Sequence, residues 1–305
     1  MILTDCVSNG ANYTISCYER ELVGLTDRAR TDLAAEARRQ FPGGEETLPG
    51  VCFREETLFG LRLESLELTA GEGARKLGKP PGRYYTLLLP ERLGRGEGEF
   101  GRCVRAAAEL IGRCLPEKAE TVLAAALGNP DITPDALGPL AAESILVTRH
   151  LKEQQPEDFA AFCSLALCRP GVLGTSGMES ALQVKTLCAA LQPDLVLVID
   201  ALAGAEADHL CRTLQITDSG IAPGSGVGNN RPAFSHESLG VPVVAVGMPT
   251  VVDAGLFGGE NLAGMFVTPR SIDSLVRAAG RVIGYAVDLA LHRGLTVEDV
   301  DALLG

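Results

Sequence analysis

The chain contains no tryptophan, and aromatic residues make up only 5% of its 305 positions. Any core it builds is therefore filled by Leu, Val, Ile and Ala. No apolar run reaches the ~18 residues that a membrane-spanning helix needs, so neither a membrane span nor a membrane partner is expected. Dense Lys/Arg runs are also missing, although Arg28, Arg30, Arg38 and Arg39 cluster near the start, and the formal net charge is −12. An acidic surface repels phosphate backbones, which argues against direct binding of nucleic acid.

Nine cysteines occur, at 6, 17, 52, 103, 114, 163, 168, 188 and 211. Their number is odd and no C-x-x-C pair exists, so neither a disulfide framework nor a zinc knuckle is indicated. They read as scattered small hydrophobes in a reducing, cytoplasmic compartment. The N-terminus lacks the basic and apolar regions of a signal peptide. Four histidines, at 150, 209, 236 and 292, form no H-E-x-x-H or other tight ligand pair. A catalytic zinc usually leans on at least one histidine. No cofactor is therefore expected, and a divalent ion held by Asp135, Asp200 and a remote histidine stays as the alternative. A G-x-S-x-G elbow for a serine nucleophile is absent too.

What is present is a globular composition, 46% hydrophobic, and a β-α alternation from residue 120 onward. The apolar run 121–127 leads through a loop to a helix pattern over 136–151. A Pro- and Cys-containing loop, 163–178, precedes a helix over 179–191. Strands follow at 195–199, 214–217 and 241–247, and a helix over about 271–291 closes the fold. Upstream, 61–68 and 83–90 read as strands and 100–114 as a helix. This alternation indicates an α/β fold with a mostly parallel sheet and helices on both faces. Residues 1–29 differ in character and read as a leader or N-terminal extension, or as a start codon taken too early. A helix begins near residue 30 with Thr31 or Asp32 as its N-cap.

Two acidic residues stand out. Leu127-Gly-Asn-Pro-Asp-Ile-Thr-Pro-Asp135 is a stiff loop at the carboxyl end of a strand, where parallel α/β sheets place their binding crevice. Asp135 either caps the next helix or projects into that crevice, and the two roles are compatible. Asp200 directly follows the apolar strand Leu195-Val-Leu-Val-Ile199, so it is expected to be partly buried, with a raised pKa. If the two carboxyls share a site, one holds a proton while the other acts as base. The competing reading of Asp200 is a structural carboxylate accepting backbone N–H groups. Asn129 and Asp131 lie in the first loop. Gly171-Val-Leu-Gly-Thr-Ser-Gly-Met-Glu179 is a glycine-rich loop opening a helix, with Glu179 a third acidic candidate and Ser176 an alternative N-cap. Pro223-Gly-Ser-Gly-Val-Gly228 lacks a nucleotide-binding spacing. Its glycines, Gly224 and Gly226 among them, suit close backbone approach to an extended peptide. Asp218 just upstream extends the crevice wall.

These blocks together resemble the germination protease family of spore-forming bacteria. The resemblance rests on Leu127–Pro139, Glu143–Leu151, Pro170–Ser180, Pro193–Leu202, Gln215–Asn229 and Gly240–Ala254, with Arg30–Ala34 and Val267–Asp273 beside them. It implies a cytoplasmic endopeptidase of the spore core that degrades small acid-soluble spore proteins. It further implies a core like that of hydrogenase maturation proteases, catalytic aspartates at Asp135 and Asp200, synthesis as a zymogen and a tetrameric assembly. The family's substrates are cut after an acidic residue and before an aliphatic-Ala-x-Glu stretch. Asp32-Leu33-Ala34-Ala35-Glu36 copies that pattern, so the self-processing bond falls between Asp32 and Leu33. Residues 1–32 are then a propeptide and 33–305 a single peptidase domain. A cationic pocket is expected for the acidic residue, with Arg149, Lys185, Arg212 and Arg231 as candidates. After Ala254 only about ten residues, Gly255 to Met265, replace the several tens expected there.

Overall fold

Among the residues described by the computed structural model (30–41, 48–91, 98–229, 231–258 and 262–304), nine strands join into one sheet. In chain order they are β1 (Val51–Leu58), β2 (Leu61–Leu68), β3 (Gly82–Leu88), β4 (Thr121–Ala126), β5 (Ser164–Cys168), β6 (Leu195–Gly204), β7 (Thr213–Thr217), β8 (Val243–Asp253) and β9 (Phe266–Val267). Their spatial order is β1-β2-β3-β7-β8-β6-β4-β5, with β9 paired to β8. The sheet is α/β as expected, and its two halves differ. Strands β5, β4, β6 and β8 are parallel, whereas β1, β2, β3 and β7 form an antiparallel wing that meets β8 through β7.

Helices cover both faces, because the strands β4, β6 and β8 are apolar at successive positions and must be buried on two sides. One face packs against α3 (Glu99–Cys114), α4 (Leu137–Ala142), α10 (Ile272–Leu291) and α11 (Val297–Leu304). In α3 the buried Cys103, Val104, Ala107, Leu110, Ile111 and Cys114 recur at helical spacing. The other face packs α7 (Ser180–Leu191), Phe234 and α8 (His236–Leu239) on Val196, Val198, Val243 and Ala245. A third cluster seats α1 (Ala34–Arg39) and α2 (Glu72–Leu77) on Leu66, Leu68 and Tyr84 of the antiparallel wing.

Several boundaries differ from the sequence reading. Strand β6 does not stop at Ile199 but runs on through Asp200 to Gly204. The helix expected over 136–151 is broken into α4 and α5 (Arg149–Gln154). Helix α10 presses Gly280 on the end of α4 and Gly284 on the segment that follows: a Cβ at Gly284 would lie 2.4 Å from the Ser144 carbonyl oxygen. The freed Leu146 N–H donates instead to Asp288 of α10, 3.0 Å to Oδ1. The loop expected over 163–178 contains the edge strand β5 and the short helix α6 (Leu173–Ser176). Strand β1 joins β2 through Phe59 and Gly60, both at positive φ (49° and 78°), the geometry of a two-residue hairpin turn. The leader or N-terminal extension expected over residues 1–29 lies outside the described residues.

Candidate active site

Strand β4 ends at Ala126 and the chain turns sharply at Gly128. That turn demands glycine: φ is +112°, and a Cβ there would sit 1.9 Å from the Asp135 carbonyl oxygen. The loop then folds on itself, Asp131 N–H donating to Asn129 Oδ1 at 3.0 Å. It returns through a 3₁₀ turn, Thr133–Asp135, which Thr250 fixes from β8 by donating to the Pro134 carbonyl at 2.6 Å. The Asp135 side chain does not cap α4. Its Oδ2 accepts the Asn129 N–H at 2.9 Å, and no side chain caps that helix. Nor does Ser176 cap α7, whose N-cap is Glu179. Thr31 and Asp32 do not cap α1, where Leu33 holds that place.

Asp200 sits inside β6, opposite Gly247 of β8, and is only 5% exposed. Its Oδ1 accepts the N–H of the adjacent Ala201 at 2.9 Å. Asp135 and Asp200 line one cavity of about 380 Å³, together with Asn129, Glu179, Gly224 and Asp32. Burial is the first cause that pushes Asp200 well above the ordinary carboxyl range; the negative charges of Asp135 and then Asp32 add to it. Burial also raises Asp135, but the Asn129 N–H opposes the rise. Both carboxyls are therefore pushed toward the acid form, Asp200 more strongly, so of the two Asp135 gives up its proton first.

The other residues singled out from sequence are distributed as follows. Glu179 receives Arg231 at 3.2 Å, and of the four cations considered only Arg231 lines this cavity. Arg149 pairs with Glu153 and Arg212 with Glu91, and Lys185 lines none of the described cavities. Asp131 is exposed and not part of the lining. Asp218 lies on a neighbouring cavity of about 560 Å³, where it accepts both the backbone N–H and Nε of Arg83 at 2.7 Å. None of the four histidines lines the cavity that holds Asp135 and Asp200.

Asp32 lines both of these cavities. Its N–H donates to the Ala203 carbonyl at 2.9 Å. Its carboxylate accepts the Ala203 N–H at 2.8 Å and the Ser225 hydroxyl at 2.5 Å. The glycine loop lies against it: a Cβ on Gly226 would come 2.5 Å from Asp32 Oδ2, and one on Gly228 would come 2.0 Å from Arg30 Nη1. The Asp32 carbonyl accepts from Lys79 Nζ at 2.9 Å and from Gln215 Nε2 at 3.0 Å. Leu33 and Ala34 are wholly buried, and the Ala34 N–H donates to Gln215 Oε1 at 2.7 Å. Glu36, also wholly buried, accepts the Ala205 N–H at 2.7 Å and lies 2.7 Å from His209 Nδ1. Glu36, Glu206 and His209 are grouped closely enough to hold a cation, and Arg39 already pairs with Glu206 at 2.7 Å and lies 3.4 Å from His209 Nε2.

Sequence reasoning missed Lys79, Gln215 and Ser225. Ser225 stood within a motif already marked for peptide contact. Lys79 stood in a turn rich in Lys, Pro and Gly, and nothing in its spacing links it to residue 32.

The model of the family described as germination protease matches residues 29–261, a stretch holding every residue of this site. The chain belongs to the germination protease family. The germination protease of Caldanaerobacter subterraneus is 36% identical over 90% of this chain and 98% of its own length. That of Clostridium perfringens is 34% identical over the same shares. The Priestia megaterium protein is 37% identical over 86% of this chain and 71% of its own. Membership makes the chain an endopeptidase. Among solved structures, a NiFe hydrogenase maturation protease, HycI from Thermococcus kodakarensis, overlaps 56% of this chain and 94% of its own at 19% identity and a TM-score of 0.33, too slight an overlap to bear on function. Among the described residues, no helix is long and apolar enough to cross a membrane.

Proposed function

We propose that this germination protease hydrolyses peptide bonds with the Asp135–Asp200 pair, and that its substrates are small acid-soluble spore proteins cut after an acidic residue. The observation that carries the reading is the shared cavity, in which Asp200 is buried beside the charges of Asp135 and Asp32 and is raised further than Asp135. Asp135 draws a proton from water, and the protonated Asp200 donates to the departing amine. Because the two groups interact, they titrate as a pair. The rim supports a polypeptide substrate: Ile132, Leu173 and Val227 line the cavity yet are 53%, 37% and 37% exposed.

The same reading makes residues 1–32 a propeptide removed by cleavage between Asp32 and Leu33. Its support is the seat of Asp32, which lines the cavity of Asp135 and Asp200 with its carboxylate held by the Ala203 N–H and the Ser225 hydroxyl. We also propose a homo-oligomer in the spore cytoplasm. Leu256, Phe257, Met265, Phe266 and Val267 supply exposed apolar surface on one short excursion, whose ends meet through Ala254 N–H and the Met265 carbonyl at 2.6 Å.

The test is cleavage of an Asp-Leu-Ala-Ala-Glu peptide by the protein freed of its leader. Activity is expected to fall by about 10³-fold or more in both Asp135→Ala and Asp200→Ala. Retained activity in both variants would end the aspartate mechanism, whereas chelator-sensitive cleavage restored by one divalent ion would replace it with a metal-dependent one.

A further inference from the structure

We propose that Lys79 and Gln215 are catalytic residues that hold the carbonyl oxygen of the bond to be cut, the part an oxyanion hole plays in acyl transfer. The inference rests on the proposed cleavage between Asp32 and Leu33 and adds the groups that polarise that bond.

A backbone carbonyl in a folded chain is ordinarily satisfied by one N–H of a helix or strand. The Asp32 carbonyl is met instead by two side chains from distant elements, the ammonium of Lys79 at 2.9 Å and the amide of Gln215 at 3.0 Å. Lys79 follows α2 and Gln215 lies in β7. Each is itself fixed. Lys79 makes a second bond to the Thr31 carbonyl at 2.9 Å, and Gln215 is 6% exposed with its Oε1 taken by Ala34.

Charge makes the arrangement unusual. Burial costs the Lys79 ammonium much of its hydration and lowers its pKa, while Asp32 and Glu36 oppose the fall. A half-buried, partly dehydrated cation is a costly way to tie down a loop. Fixed donors in a site poor in water are, by contrast, most effective where negative charge develops during reaction. When water adds to the Asp32 carbonyl carbon, its proton passes to Asp135 and the C=O electron pair moves onto oxygen. That oxygen is the atom Lys79 and Gln215 already grip. Collapse restores C=O and breaks the C–N bond as Asp200 gives its proton to the Leu33 nitrogen. The products are a carboxyl at Asp32 and an amine at Leu33.

The two donors do not account for the acidic side chain. That role falls to the Ala203 N–H and the Ser225 hydroxyl, so bond polarisation and recognition are divided between separate groups.

The experiment follows conversion of the full-length chain to the form beginning at Leu33, by intact mass against time, under conditions in which the unaltered chain converts. Hydrogen exchange at the Leu33 and Ala34 amides is read in parallel. Lys79→Met is expected to slow conversion by about 100-fold or more while those amides stay protected, and Lys79→Arg is expected to recover part of the rate. Conversion of Lys79→Met at the unaltered rate would overturn the proposal. So would slow conversion with protection lost, since Lys79 would then only anchor the segment. Failure of the unaltered chain to convert under any condition, with peptide cleavage also absent, would sink the underlying functional reading.

Discussion

Asp200 shows how one carboxyl can be made an acid by placement alone. It is enclosed in a strand, has its neighbour's N–H as its one hydrogen bond among the described residues, and faces two other carboxylates. Another buried aspartate permits a cleaner test of the same physics away from the site. Asp288 in α10 accepts the Leu146 N–H, and burial pushes its pKa up to about 8. Unfolded, the group titrates near ~3.9. Between these values the folded chain holds the extra proton, so this contribution is complete below the unfolded pKa and is lost as pH rises toward 8. Asp288→Asn keeps the acceptor for Leu146 and removes the titration. Its thermal midpoint is expected to fall less than that of the unaltered chain between about pH 5 and 8, the gap amounting to a few kcal/mol at most. Parallel curves would contradict it. Asp135 and Asp200 were legible as candidates because each comes after an apolar run in the parallel half, where ligands gather. Lys79 and Gln215 were not. A turn lysine and a glutamine in an antiparallel strand reach residue 32 only through pairings that no local pattern encodes.

At the scale of elements, the loop between β4 and α4 carries the site, and Gly128 sets its path. Gly128→Ala would force a side chain onto the Asp135 carbonyl in a backbone conformation that alanine resists. A loss of about 1–3 kcal/mol is expected in chemical denaturation, with activity falling alongside it. A neutral result would show that the loop adapts and that Asp135 is held less firmly than its contacts suggest. The strands of the parallel half were readable because burial on both faces makes them continuous apolar runs. Strand β1 was not, since most of its residues are exposed (Arg54, Glu55, Glu56 and Thr57 among them) and its place comes from pairing with β2. The break between α4 and α5 was hidden for a related reason. The helical pattern persists in the sequence, but the close approach of Gly284 and the claim of Asp288 on Leu146 override it.

At the scale of the whole molecule, an acidic chain gathers Asp32, Asp135, Glu179 and Asp200 around one cavity. The apolar excursion after Ala254 should matter for assembly rather than for chemistry. Phe257 is 61% exposed. Phe257→Ser is expected to shift the sedimentation of the oligomer toward the 32.0 kDa single chain while leaving the Asp135–Asp200 cavity unaltered; unchanged sedimentation would place the contact elsewhere. The central claim is that Asp200 keeps a proton that Asp135 gives up. Carbon NMR of the aspartate carboxyls, assigned with Asp135→Asn and Asp200→Asn, measures this directly. The expected result is one signal, absent from Asp200→Asn, that ionises at a distinctly higher pH than the Asp135 signal. Both carboxyls ionising together near ~3.9 would refute it.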